Sequence, residues 1–116
     1  MKVRDIIEKL GLKLVSGKKG IDRKIEGGYC GDLLSDVIGN APKGCIWVTV
    51  QTHPNIVAVA ILKEMAGIII SANHQPEEDT RKKSDAEGIP LLISPLTSFQ
   101  TTGQLYELGI GKNEDI

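Results

Sequence analysis

The sequence predicts a three-layer α/β/α domain with a mainly parallel central sheet, and three observations carry that prediction. Three short runs, 45–50, 67–70 and 91–94, are apolar at nearly every position and rich in β-branched residues, the composition of strands buried on both faces. Between them lie two stretches of helical length, 55–66 and 77–87, each preceded by a proline and followed by a glycine. Strands alternating with helices at that spacing imply crossover connections and parallel pairing.

The chain opens on a short helix, because Val3, Ile6, Ile7 and Leu10 recur at helical spacing and Gly11 stands ready to cap them. Residues 12–15 read as a strand and Gly17-Lys18-Lys19-Gly20 as a solvated hairpin turn. The turn lacks the spacing of a phosphate-cradling loop. A second strand falls near 25–29. Leu33, Leu34, Val37 and Ile38 then share one face of a short helix, with Asp32 as its N-cap and Asn40 and Pro42 as its stop.

Beyond the first buried strand, Pro54 opens a helix that is apolar on two sides. Val57, Ala58, Ile61, Leu62 and Met65 make one face, and Ile56, Val59 and Ala60 lie opposite. A helix on a sheet needs one apolar face, so a homodimer using Ile56, Val59 and Ala60 is expected, with cover by a terminal helix as the competing account. The next helix has almost no apolar residue. Glu77, Glu78 and Asp79 begin it and Arg81, Lys82 and Lys83 follow, an order that complements the helix dipole, so it reads as exposed and weakly packed. Thr97 or Ser98 caps a last helix with Phe99, Thr102, Leu105 or Tyr106, and Leu108 as its stripe. Residues 112–116 read as a frayed tail.

Composition narrows the function. A length of 116 residues fits one domain, 1–116, and a net charge of -1 with 3% aromatics gives no footprint for nucleic acid or an anionic membrane. No apolar run approaches a bilayer span, and the start Met1-Lys2-Val3-Arg4-Asp5 lacks the apolar core of a signal peptide, so a cytoplasmic location is expected. Cys30 and Cys45 are not in a C-x-x-C arrangement and read as two buried thiols in a reducing compartment.

Both histidines follow buried strands, His53 the first and His74 the second. They lie at the carboxyl edge of the sheet, where open α/β sheets bind ligands. Thr52, Asn55, Ser71, Asn73, Ser94, Thr97 and Ser98 crowd the same edge. These nine residues are the candidate ligand site, and helix N-termini converging on it favour a small anionic or nucleotide-like ligand. The same residue types also serve simply as caps and turn formers. A zinc site or a Cys–His pair using Cys45 and His53 fails, because the two stand at opposite ends of one strand at about 3.3 Å per residue. No catalytic residue, metal site or cofactor is expected, and no nucleophile elbow, paired-carboxylate signature or dinucleotide fingerprint is present.

The ordering of these pieces resembles a DRTGG domain, the module also found at the N-terminus of HPr kinase/phosphorylase and in some phosphate acetyltransferases. The match begins at Leu10-Gly11-Leu12-Lys13-Leu14-Val15-Ser16-Gly17 and continues through Gly20-Ile21-Asp22-Arg23. It resumes at Gly67-Ile68-Ile69-Ile70, Glu87-Gly88-Ile89-Pro90 and Ser98-Phe99. Where the family has Thr-Gly-Gly after the second buried strand, this chain has Ser71-Ala72-Asn73. The resemblance implies a fold like the HPr kinase N-terminal domain and a non-catalytic regulatory or ligand-sensing role. The kinase chemistry of that protein lies in a separate P-loop domain. The alternative reading is a homodimeric interaction module with an unknown protein partner, linked to a redox, hydrogenase or phosphotransfer system.

Overall fold

The computed structural model describes residues 1–112, so the tail predicted at 112–116 lies, beyond Lys112, outside the described residues. Five strands form one sheet in the order β1-β5-β4-β3-β2: β1 is Lys13–Ser16, β2 Gly27–Cys30, β3 Cys45–Thr49, β4 Gly67–Ile70 and β5 Leu91–Ile93. β2 through β5 are parallel and lie in sequence order, and β1 joins the far side of β5 antiparallel. The helices are α1 (Val3–Leu10), α2 (Leu34–Asn40), α3 (Asn55–Leu62), α4 (Glu78–Glu87) and α5 (Ser98–Glu107).

The side-chain alternation of the central strands divides the core. Cys45, Trp47, Ile68, Ile70 and Leu91 face one layer, where they meet Val37 of α2 and Ile56, Val57, Val59 and Ala60 of α3. Ile46, Val48, Ile69 and Leu92 face the other, where α1 supplies Val3 and Ile6 and α5 supplies Leu105. β3, β4 and β5 are buried at every position, as their composition predicts.

Several expectations change. Ile56, Val59 and Ala60 are no more than 5% exposed within the single chain, so they are not the surface of a dimer. α3 is the middle helix of its layer, between α2 and α4, and a middle helix needs apolar flanks as well as an apolar base. The residues it leaves outside include Ile61 and Leu62. α3 also ends four residues early, because Glu64 adopts a left-handed φ of 51° and its carbonyl accepts from Gly44 N.

α4 is anchored rather than weakly packed. Thr80 and Ser84, one turn apart, are fully buried. Thr80 Oγ1 donates to the Thr52 carbonyl at 2.7 Å, and Ser84 Oγ donates to the Ile89 carbonyl at 2.7 Å and lies 2.8 Å from Ser16 Oγ. The Gly17–Gly20 segment is not a solvated hairpin. It forms a short 3-10 turn packed on the α4–β5 connection, and a β-carbon at Gly17 would stand 2.0 Å from the Ile89 carbonyl oxygen. α5 rests on Thr101 and Leu105, one turn apart, which leaves Phe99 and Tyr106 exposed. Cys30 is exposed; only Cys45 is a buried thiol. No helix among the described residues is long and apolar enough to cross a membrane.

Candidate functional site

The strand order places the topological switch point. β4 leads into α4 on one face of the sheet, whereas its neighbour β5 leads into α5 on the other, so the two connections part at the carboxyl ends of β4 and β5. A parting of this kind opens a crevice in doubly wound sheets. Here the crevice is laced shut. Ala72 N donates to the Leu96 carbonyl at 2.6 Å, Asn73 N donates to the Ser94 carbonyl at 2.8 Å, and Ser71 Oγ lies 2.5 Å from Ser98 Oγ.

That lacing sorts the nine candidate residues. Ser71 and Ser94 are buried and structural, Ser94 pairing with Thr101 Oγ1 at 2.8 Å. Ser98 is half-buried against Ser71. Thr52 holds the start of α4, its carbonyl accepting from Glu77 N at 3.2 Å and from Thr80 Oγ1. His53, Asn55, Asn73, His74 and Thr97 remain exposed along the rim.

The donors expected to converge there are largely engaged already. His53 Nδ1 accepts from Asn55 N at 3.0 Å at the start of α3. Thr97 and Gln100 close a capping box on α5, as Thr97 predicts. Glu77, Glu78 and Asp79 surround the N-terminus of α4 with negative charge. The rim therefore offers amide, imidazole and hydroxyl groups rather than an anion cradle.

Its unusual feature is backbone. Ala72 and Asn73 take left-handed φ values of 56° and 55° in succession, each costing a residue with a β-carbon about 1 kcal/mol or more. Asn tolerates this conformation; nothing in the sequence predicts it for Ala72.

Asp32, expected as an N-cap of α2, instead ties the end of β2 to the end of β3. Its Oδ1 accepts from Thr49 Oγ1 at 2.9 Å and from Val50 N at 2.8 Å. Helix α2 begins at Leu34 behind Leu33, with no side-chain cap.

None of the nine candidate residues lines the larger cavities, one of which, about 470 Å³, runs along the start of α4 between Pro76, Glu78, Arg81, Lys82 and Asp85. An open cleft of about 740 Å³ lies at the amino end of β2, lined by Met1, Ile25, Pro42 and residues 108–112, and a cavity of about 130 Å³ separates β2 from α5. Among the described residues no group of three or more His, Cys, Asp or Glu side chains is placed to hold a metal ion.

Fold and rim together define a three-layer α/β/α domain with a mainly parallel sheet and a closed switch point. Compared with protein-family models and with curated proteins, the sequence finds no match.

Proposed function

We propose that this chain is a non-catalytic regulatory module of the DRTGG type that senses a small nucleotide-like metabolite at the β4–β5 switch point. The observation that carries the reading is the pair of left-handed residues Ala72 and Asn73, held in a costly turn by hydrogen bonds on both sides. Strain of this kind concentrates at ligand clamps and switch regions. Asn73 and His74 in and after this turn are exposed, as is Thr97. With acidic residues at the start of α4, recognition falls on the base and sugar of such a ligand more than on its phosphate.

The family assignment and an HPr kinase N-terminal-like fold draw support from how the resembling stretches meet. A β-carbon at Gly20 would come within 2.0 Å of the Gly88 carbonyl oxygen, and one at Gly17 within 2.0 Å of that of Ile89. The glycines of the opening stretch and the Gly88-Ile89 stretch are thus steric partners.

The test is a two-dimensional amide NMR titration with adenosine monophosphate, adenosine and inorganic phosphate run separately. Shifts confined to residues 53–55, 72–75 and 96–98, produced by the first two and lost in Asn73→Leu, are the expected result. No shift at millimolar nucleotide, or shifts confined to another surface, would refute the reading. A second reading, a homodimeric interaction module, is favoured by the exposure of Leu33, Phe99 and Tyr106.

A further inference from the structure

We infer that the chain self-associates through the free edge of β2, extending the sheet across a two-fold axis into a second copy. The inference gives a surface to the homodimer reading and does not depend on the ligand reading.

Among the described residues β2 ends the sheet, pairing only with β3, and the segment at Ile110 and Gly111 passes beside Gly28. Gly31 N donates to the Val48 carbonyl, and the ladder alternates from there. Gly27 and Tyr29 therefore turn their backbone groups inward, and Gly28 and Cys30 turn theirs outward. Gly28 and Cys30 are also the exposed residues of the strand, and Gly27 and Tyr29 the half-buried ones. An outward row of unpaired donors and acceptors is a template for another strand unless something blunts it.

The far edge of the sheet is blunted. β1 carries the exposed Lys13, has a bulge between Leu14 and Ser16, and packs against α4. β2 has no charge, no proline and no bulge. Of the nearby carboxylates, Asp32 is engaged with Thr49 and Val50 and Asp36 with the Tyr29 hydroxyl, while Glu26, just before the strand, is exposed. One open edge and one closed edge produce a closed pair rather than a filament.

The occupant follows from what flanks the edge. Phe99, Thr102 and Tyr106 recur at i, i+3 and i+7, a single stripe of α5, and Thr102 and Tyr106 line the 130 Å³ cavity together with Gly28 and Cys30. The stripe is unfinished: Phe99 is 88% exposed, Tyr106 is 54% exposed, and Thr102 Oγ1 is buried with no hydrogen-bond partner among the described residues. In the opposite layer, Leu33 is 69% exposed one turn before Asp36, the residue that reaches Tyr29. Two of the chain's four aromatic residues, Tyr29 and Tyr106, thus lie at this edge, and Phe99 continues the stripe along α5. A lone peptide strand would satisfy only the middle layer. A second copy brings a strand and both helical layers to face its like, with Lys112 Nζ 5.4 Å from the Tyr106 ring centroid.

The pairing has a register. With the axis at Tyr29, Gly28 of each copy lies opposite Cys30 of the other, so each such pair exchanges two backbone hydrogen bonds and the axis doubles them. Cys30 then faces a glycine, not its own copy, and the association needs no disulfide.

Sedimentation equilibrium at about 50 µM, well above a micromolar dissociation constant, tests this directly. The expected result is a dimer unaffected by reductant, with the amides of Gly28 and Cys30 protected from exchange in a concentration-dependent way. Gly28→Pro removes an outward N–H and no β3 bond, and should give a monomer with an unchanged melting curve after extrapolation to low concentration. Should that variant fail to fold, the surface pair Phe99→Lys and Tyr106→Lys should give the monomer instead. A monomeric wild type, a dimer abolished by reductant, or a dimer that survives these variants with Gly28 and Cys30 unprotected would overturn the inference.

Discussion

Ser84 is the side chain on which an otherwise polar helix depends. Its hydroxyl donates to the Ile89 carbonyl at 2.7 Å and meets Ser16 Oγ at 2.8 Å, and both serines are buried. Ser84→Ala leaves one carbonyl and one hydroxyl without these partners. At about 1 kcal/mol or slightly more for each buried group, the loss should be about 2 to 3 kcal/mol. For a domain of this size that lowers the Tm by roughly 8 to 12 °C. Ser16→Ala alone removes one shared bond and should cost about 1 kcal/mol. The double variant no longer strands the Ser16 hydroxyl, so its cost should fall short of the sum by about 1 kcal/mol in a double-mutant cycle. The assay is urea unfolding followed by circular dichroism. A Ser84→Ala loss below about 0.5 kcal/mol, or strict additivity, would show that the hydroxyl network does not hold α4.

Three further outcomes follow from single positions. Gly17→Ala should prevent stable folding, since φ is 75° and the new β-carbon would sit 2.0 Å from a carbonyl oxygen; Gly11→Ala, also left-handed but with nothing within 4 Å, should cost only about 1 kcal/mol. Thermal melts of the pair check the contrast. In native protein a disulfide reagent should label Cys30 at once and Cys45 only on unfolding, because burial pushes the Cys45 thiol up to about 11. The unfolded thiol releases its proton first, so the Cys45 contribution to stability is whole below pH 9 and is lost as the pH rises through about 11; Cys45→Ser should flatten that part of the stability–pH curve. Trp47→Phe strands the Gly31 carbonyl that accepts from the indole at 2.9 Å, and should destabilise by about 1 to 3 kcal/mol in the same urea assay.

The central strands were legible because β-branched runs buried on both faces have few alternatives. β3, β4 and β5 lie within a residue of where composition puts them. The Val3–Leu10 helix with its left-handed Gly11 cap was equally plain. Apolar periodicity failed where polar residues do the packing. Thr80 and Ser84 hold α4, and Thr101 is as buried in α5 as Leu105, so a stripe through Phe99, Thr102, Leu105 or Tyr106, and Leu108 missed Thr101 and included the exposed Phe99. It failed again at α3, where apolar flanks meant neighbouring helices in the same chain rather than another copy. The rim was located by topology alone. Which of its residues are free depended on hydrogen bonds between loops distant in sequence, such as Ala72 to Leu96, that no local pattern encodes. The edge-strand role of β2 was likewise hidden, since strand order is not written in any one segment.

The antiparallel seating of β1 has a consequence for synthesis. β2, β3, β4 and β5 lie side by side in the order in which a ribosome releases them, so each can dock on its predecessor as it emerges. β1 is made first yet pairs only with β5, Lys13 opposite Ile93, and Ser16 and Gly17 are held by Ser84 and Asp85. The opening segment therefore has no strand partner until β5 has been made. The α1 and α5 layer is complete only once α5 has followed β5. Nascent chains halted before β5 should leave residues 1–20 open to protease while the β2–β4 unit is already protected.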